Sequence, residues 1–385
     1  MRRLFGWFKK KTDPIKVGVV TSRSGPLMHW GSLALQGLEL GVEYATGGSG
    51  EVWGRPIEFL VEDDAGDPDV GTQKARQLIE RRGVHLLAGC VSSAIAIQVS
   101  KVAEEHQRVF FVDPAATDVL TGEWFNRFVF RAAPNVSQDA AAAGQYAVEN
   151  LGRTFCFLSP DYVLGHQSRS AWWRAVEKHG GEVVGDIMAP PTESDFRSYL
   201  EQALATKADV LMPTWAGSGL KDLFAQMRAL GVFEKMQILS NLVDRESLRI
   251  LGTTAEGTVG AARYHWEIPR NSVNDWLISR CQARYGEPPD VFTGIACATG
   301  IALVEGLRRT EGDPDAEALI PALEGMRFEG PKGPYTFRPE DHQALQQMYI
   351  VEMVRHPEES HCIPRLIREV SQEDSAPPLI EPEHS

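Results

Sequence analysis

The sequence holds no Cys-x-x-Cys pair, no GxxxxGK(S/T) phosphate loop and no long basic stripe, and it is sparing with cysteine. Each gap removes a class of function. The five cysteines are Cys90, Cys156, Cys281, Cys297 and Cys362, an odd number without paired spacing, which argues against a zinc site and a dense disulfide framework. Cys156 in TFCFL and Cys297 in GIACATGIAL read as small apolar core residues. Without a Walker loop, a nucleoside triphosphate loses its usual cradle. A net charge of −13 argues against nucleic acid as a partner, because neutralising phosphates takes clustered Lys and Arg. No stretch reads as long and apolar enough to span a bilayer. The N-terminal MRRLFGWFKKKTDP starts basic, but only Leu4 to Phe8 is apolar before Lys9, Lys10 and Lys11. That falls short of the roughly 7–15 apolar residues of a secretory signal. Residues 1–14 read as a frayed tail in preference to a membrane-touching basic segment or a remnant of processing.

What is present points to two ordinary domains. The chain has 385 residues, 43% hydrophobic and 24% charged, a globular composition too long for one compact core. From Ile15, short apolar runs alternate with helical periods: KVGVVTS, WGSLALQGLELGVEYA, IEFLVED, DVGTQKARQLIERRG, VHLLAG, a helix over 93–105, then RVFFVD. This alternation is the signature of βαβ units and a parallel sheet. It breaks near 132, resumes from SQDAAAAGQYAVENL through MQILSN, and breaks again near 243–263. Helices over 272–285, 290–308 and 315–326 follow, then a late strand, MYIVEMV. The pattern predicts an α/β fold of two Rossmann-like lobes, with parallel sheets joined by a hinge that the chain crosses more than once. One lobe spans 15–132 and 262–340, the other 133–261 and 341–370, and 371–385 reads as a mobile tail. A hinge of this kind leaves a cleft between the lobes.

Ligands of open α/β sheets bind at the carboxyl ends of strands, near helix N-termini. Four first-lobe segments sit there: SRSGPLMHWG, EDDAGDPD, GCVSSA and DPAATD. Ser92 and Ser93 suit a helix N-cap, where free N–H groups and the helix dipole attract an anion. GCVSSA lacks the Gly-x-Ser-x-Gly pattern of a nucleophile elbow, so capping and ligand binding stand as equal readings on that segment alone. In DPAATD, Ala115 and Ala116 leave the backbone open and Thr117 adds a hydroxyl at the next strand end. Trp30 opens a helix at the same rim, either covering an apolar ligand group or packing on its own lobe. Asp63, Asp64 and Asp67 read as turn and capping residues, since they lack the Gly and closing Glu of an EF-hand loop. In the second lobe, SPDYVLGH and TWAGSG place Tyr162 and Trp215 where they could face the first lobe, and His166 reads as a surface residue.

SGPLMHWG, GRPIEFLVEDDAGDP, GCVSSA and VDPAATD, in that order, together resemble the type I periplasmic binding proteins, in the leucine/isoleucine/valine-binding branch that serves ABC importers. The resemblance runs from about Val17 to Met353, and GPKGPYTFRPEDHQ resembles the C-terminal part of the same family. It implies that two lobes close on a small ligand. It implies further that Ser93, Ala115 and Thr117 hold a carboxylate and neighbouring polar groups, with Trp30, Tyr162 or Leu164, and Trp215 or Ala216 lining the pocket. Amino-acid-binding members place an acid after the strand matching MQILSN. Here Leu242 takes that position, with Asp161, and Asp244 two residues on, as candidate substitutes. Gly66 and Ser92 replace the cysteines of the disulfide in leucine-binding members. Lacking that acid, a free ammonium would be poorly paired, which favours a carboxylate without an amine, or an amide.

The expected function is therefore the substrate-binding component of an ABC importer. It would take a small amino acid, amide or other carboxylate, present it to a membrane permease in the periplasm, use no cofactor or metal, and catalyse nothing. The alternative is a cytoplasmic small-ligand sensor on the same scaffold, acting through a protein partner and supported by the incomplete signal. An α/β enzyme would need a base or metal near Ser93, and none stands at recognisable spacing.

Overall fold

The computed structural model describes residues 13–215, 219–241 and 244–380. The first sheet forms from β1 (Ile15–Thr21), β2 (Glu51–Val52), β3 (Arg55–Asp63), β4 (Leu86–Gly89), β5 (Phe110–Val112) and β6 (Val129–Phe130), in the order β2-β3-β1-β4-β5-β6. All its pairings are parallel except that of the short β2. β1 is almost wholly buried, which explains its unbroken apolar run: a parallel strand covered on both faces has no polar side. Between the strands run α1 (Met28–Ala45), α2 (Pro68–Glu80) and α3 (Ser93–Glu105). Asp67 caps α2 by accepting from the amides of Asp69 and Val70. Asp63 and Asp64 accept from the turn amides of Ala65 and Gly66. The acidic segment is thus a set of turn and cap acceptors, as its sequence indicates.

The second lobe holds α4 (Val136–Asn150), β7 (Thr154–Pro160), α5 (Val163–Lys178), β8 (Glu182–Ala189), α6 (Arg197–Ala205), β9 (Val210–Pro213), α7 (Leu220–Ala229), β10 (Gln237–Ile238), α8 (Arg245–Leu251) and β11 (Val259–Ala262). Its parallel sheet runs β10-β9-β7-β8. The chain then returns to the first lobe for α9 (Ser272–Tyr285), α10 (Val291–Arg309), α11 (Ala316–Leu323) and an antiparallel sheet of β12 (Arg327–Gly330), β13 (Gly333–Phe337) and β14 (Ala344–Gln346). It ends with β15 (Met348–Arg355) and β16 (Cys362–Val370), which pair antiparallel beside β11.

Three features differ from the sequence reading. The third passage between lobes falls at Gln347, between β14 and β15, rather than near 340, because β14 still pairs with β13. Residues 371–380 are tied down rather than free: Ser375 Oγ donates to the Gln346 carbonyl at 2.8 Å, and Arg338 Nη1 donates to the Pro377 carbonyl at 2.8 Å. And α10 is in fact long and apolar enough to cross a membrane, yet most of it is buried inside the protein. Its partner is α1. A Cβ added at Gly37 would stand 2.3 Å from the Thr293 carbonyl oxygen, and one at Gly41 would stand 2.2 Å from that of Cys297. Glycine lets the two backbones touch, and α10 is the core helix that results.

The crossings are stitched by side chains. Arg131, fully buried, donates from Nε to Gln343 Oε1 at 2.7 Å and from its terminal nitrogens to the Thr117 carbonyl and Thr121 Oγ1. Gln343 Nε2 donates to the Ala133 carbonyl at 2.9 Å and Gln138 Oε1 at 3.0 Å. Gln138 Nε2 reaches the Ala344 carbonyl at 3.1 Å, and Gln346 Nε2 that of Ala132 at 2.8 Å. Burial pulls the Arg131 guanidinium down to about 10, while Asp118 and Asp341 hold it up. Lys332, in the turn before β13, is buried with its Nζ 3.5 Å from Met348 Sδ. Burial drives its ammonium well below the usual lysine range, Asp139 opposing and Arg263 adding to the effect.

Two outcomes follow for stability. Gly41→Val forces α1 off α10 and is expected to cost about 3 kcal/mol, the upper range for overpacking, read from the urea midpoint; an unchanged midpoint refutes the close-contact account. Lys332 has a folded pKa below its unfolded one, so the unfolded chain binds more protons between the two. The stability from burying the neutral amine is complete above about 10.4 and is lost as pH falls toward the folded value. Lys332→Met is therefore expected to stabilise the protein at pH 7, with an advantage that shrinks by up to about 1.4 kcal/mol per unit as pH rises. An advantage that stays constant from pH 7 to 10 would contradict a neutral buried lysine.

Candidate functional site

The carboxyl ends of β1, β4 and β5 face those of β7 and β9 across a cleft with a cavity of about 190 Å³. The turn after β4 is forced. Gly89 has φ +112°, and a Cβ there would stand 2.3 Å from the Val20 carbonyl oxygen. Only glycine fits both constraints. Cys90 follows with φ +73°, donating its amide to the Val20 carbonyl at 2.8 Å and accepting from the Ala115 amide at 3.1 Å. Its thiol is buried and pushed well up by that burial, so it is inert filler. All five cysteines are free and buried.

This turn delivers Ser93 to the cleft wall as the first residue of α3. Ser92 occupies the N-cap position with extended backbone, but its side chain makes no capping bond. It lines an outer groove instead, together with Tyr162. The neighbouring DPAATD loop puts Pro114 and Ala116 on the cleft surface. Ala115 and Thr117, the two residues implied by the resemblance, are fully buried and do not line the cavity. Along this loop exposure alternates, Pro114 and Ala116 facing the cavity and Ala115 and Thr117 the interior. Thr117 Oγ1 has no hydrogen-bond partner among the described residues. The loop also joins the lobes: the Ala116 carbonyl accepts from the Val136 amide at 3.0 Å, and Asp118 accepts from the Ser137 amide at 3.0 Å and hydroxyl at 2.6 Å. DPAATD is therefore part cleft wall and part hinge.

Aromatic rings close the cavity from both sides. Trp30 stacks on Phe292 with centroids 5.3 Å apart. Trp215 is buried edge-on against Phe196, centroids 4.8 Å apart. Trp172 also lines the cavity, whereas Trp173 stacks on Phe157. His166 sits at the surface, 2.7 Å from Asp161.

The charged groups are mostly committed. Arg263 and Asp139, 124 positions apart, form a forked pair in the cleft, with Nε 3.0 Å from Oδ1 and Nη2 2.6 Å from Oδ2. Burial lowers the Arg263 guanidinium, but Asp139 outweighs it and holds the group above its ordinary value. Asp244 lines the opposite wall as N-cap of α8, accepting from the Ser247 amide at 2.9 Å. Burial raises its carboxyl, with Asp290 and Glu246 adding to the rise and Ser247 opposing it. The next two residues grip the first lobe. The Arg245 amide donates to Asp290 Oδ2 at 2.9 Å, its guanidinium bonds Glu287 and the Pro288 carbonyl, and Glu246 Oε2 lies 3.3 Å from His29 Nε2. Ala216 and Leu242 lie outside the described residues. Among the described residues, no three His, Cys, Asp or Glu side chains converge as a metal site.

Sequence reasoning thus found Ser93, Trp30, Trp215 and Asp244 in the cleft and missed Arg263, Asp139, Trp172 and Phe292. The one available signal was Arg263 itself, a lone cation directly after the apolar run TVGAA.

The comparisons agree with this geometry. A periplasmic binding protein family profile matches residues 14–357. A Leu/Ile/Val-binding protein homologue from Brucella abortus is 24% identical, covering 89% of this chain and 88% of its own. The crystal structure of an ABC-type branched-chain amino acid transporter from Rhodopseudomonas palustris superimposes with a TM-score of 0.87 at 30% identity, covering 96% of this chain and 100% of that one. A solute-binding protein of an ABC transporter from another Rhodopseudomonas palustris strain, in complex with 3,4-dihydroxybenzoic acid, shares the fold at a TM-score of 0.83 and 22% identity, over 93% and 98% of the two chains. With two α/β lobes, a thrice-crossed hinge and a match over most of its length, the chain belongs to the periplasmic binding proteins, in the Leu/Ile/Val-binding branch of ABC-transporter substrate-binding proteins.

Proposed function

We propose that the cleft binds a small carboxylate, held at its head by Ser93 and the free amides of the first turn of α3, and that the loaded protein hands it to a membrane permease in the periplasm. The observation that carries this reading is a concave site with a helix N-terminus on one wall and apolar and aromatic surface around it. An anion is stabilised there by unpaired N–H groups and the helix dipole. Arg263 adds little to that attraction, because Asp139 already neutralises it. The Thr117 hydroxyl is buried without a partner among the described residues but does not line the cavity, so the cradle is assigned to α3.

Asp244 points to the ligand class. It is a half-buried carboxyl on the facing wall, the nearby Asp290 and Glu246 are both acids, and it forms no ion pair among the described residues. A ligand ammonium stabilises it, which favours an α-amino acid and offsets the loss of the family's usual acid at Leu242. An aromatic carboxylate without an amine would fill the same cradle and be indifferent to Asp244.

In calorimetric titrations against amino acids and benzoates, Ser93→Ala is expected to weaken the bound ligand by about 1–3 kcal/mol. Thr117→Val, off the cavity surface, is expected to leave affinity unchanged, and a loss as large as that of Ser93→Ala would extend the cradle to the DPAATD loop. Asp244→Asn keeps an equally good cap and should lower amino-acid affinity at least tenfold while sparing benzoates; equal losses for both would remove the ammonium role. Location is tested separately. Osmotic shock of the cells of origin should release the protein with periplasmic contents, and retention with the cytoplasm would instead favour the sensor acting through a protein partner.

A further inference from the structure

The cleft does not end at its inner chamber. It opens into an outer groove of about 850 Å³ that shares Trp30, Val91, Ser93, Leu164, Asp244 and Ser247 with the chamber. The groove is mainly apolar, walled by Leu27 from the first lobe and by Val163, Leu220 and Ile250 from the second. Val163 and Ile250 leave 41% and 46% of their surface exposed there. Nor is the groove simply the gap of lobes held apart, since Arg245 and Glu246 already bond first-lobe residues beside it. A free amino acid or benzoate seated at Ser93 leaves this surface wet.

We propose that the ligand is an amphipathic carboxylate, longer than a free proteinogenic amino acid. Its head sits in the inner chamber and an apolar chain or ring runs out past Trp30 and Leu164 to Val163 and Ile250. This inference rests on the carboxylate reading of the cleft. The shared residues give head and extension one continuous path, and the apolar rim supplies the driving force, because each methylene drawn from water onto such a surface is favourable. Asp244 and Ser93 stand at the junction of the two spaces, so the polar head is fixed where the apolar groove begins.

The test is a chain-length series measured by calorimetry on the full chain: unbranched 2-aminoalkanoates from four to twelve carbons, and phenylalkanoates from benzoate to 6-phenylhexanoate. Affinity is expected to rise about threefold to fourfold per methylene buried, then to level off when the groove is full. The exposed-rim variants Val163→Glu and Ile250→Glu should abolish the gain with length while leaving the shortest binder of the series unaffected. Short members that bind with flat or falling affinity as the chain grows would overturn the extended ligand and leave the carboxylate reading standing. Failure of both series at every length would overturn the carboxylate reading and this inference with it. A length gain that survives both rim variants would also refute the groove as the seat of the extension.

Discussion

The first and last crossings between the lobes are held together by side-chain amides that bond backbone across them, the middle one by the Arg263–Asp139 pair, and the cleft depends on that arrangement. Gln343 and Gln346 come from the last passage and bond carbonyls of the first, while Gln138 of the second lobe bonds back to Ala344. Arg131 adds a buried cation satisfied by a glutamine, a carbonyl and a hydroxyl. Such groups are costly unless every donor is met, and a fully met buried network fixes one geometry. The hinge is therefore a defined pivot. Because Thr117 and Asp118 belong both to this network and to the loop beside the ligand cradle, the pivot and the cleft wall are one piece of chain.

The same economy governs the cleft. Helix α8 joins the lobes beside the cavity from three consecutive residues: Asp244 toward the cavity, Arg245 to the turn before α10, and Glu246 to His29. The α8 N-terminus thus joins the ligand surface to the inter-lobe contacts without a separate element. Arg245 is fastened to a buried acid and a carbonyl, whereas the His29–Glu246 pair is half exposed and contributes little by itself.

Much of this was legible in the sequence. The parallel sheet of the first lobe followed from the apolar runs between helical periods, and α3 and α9 span the 93–105 and 272–285 read from the sequence. Ser93 lies on the cleft wall where its place at a strand end, ahead of a helical period, puts it, although the same pattern serves a plain cap equally well. The rest was hidden for physical reasons. The Arg263–Asp139 pair joins residues 124 positions apart, and no local pattern reports a contact that only the hinge creates. Trp172 sits inside a helical period, where a core-facing and a cleft-facing ring look alike. α10 reads as a core helix only once the glycines of α1 are known to let it approach. The roles of Ala115 and Ala116 depend on which way exposure alternates along their loop, a single-residue matter that periodicity does not fix.

The charge pattern explains why the cleft suits holding a ligand more than transforming it. Asp139 and Arg263 neutralise each other, so neither is free to move a proton. Asp244 is engaged as a helix cap, and the Cys90 thiol is buried and raised out of its reactive range. General acid–base work needs a group with an accessible lone pair or proton at the reacting atom; Asp139 and Arg263 are committed to each other, while Asp244 caps α8 without an ion pair among the described residues. The proposed ligand contacts are a set of fixed dipoles, the Ser93 hydroxyl and α3 amides, facing the half-buried Asp244 carboxyl in a cavity lined by Trp30, Trp172 and Trp215. Such a site distinguishes ligands by where their charges lie and how far their apolar parts extend, which is the selectivity that a binding protein requires.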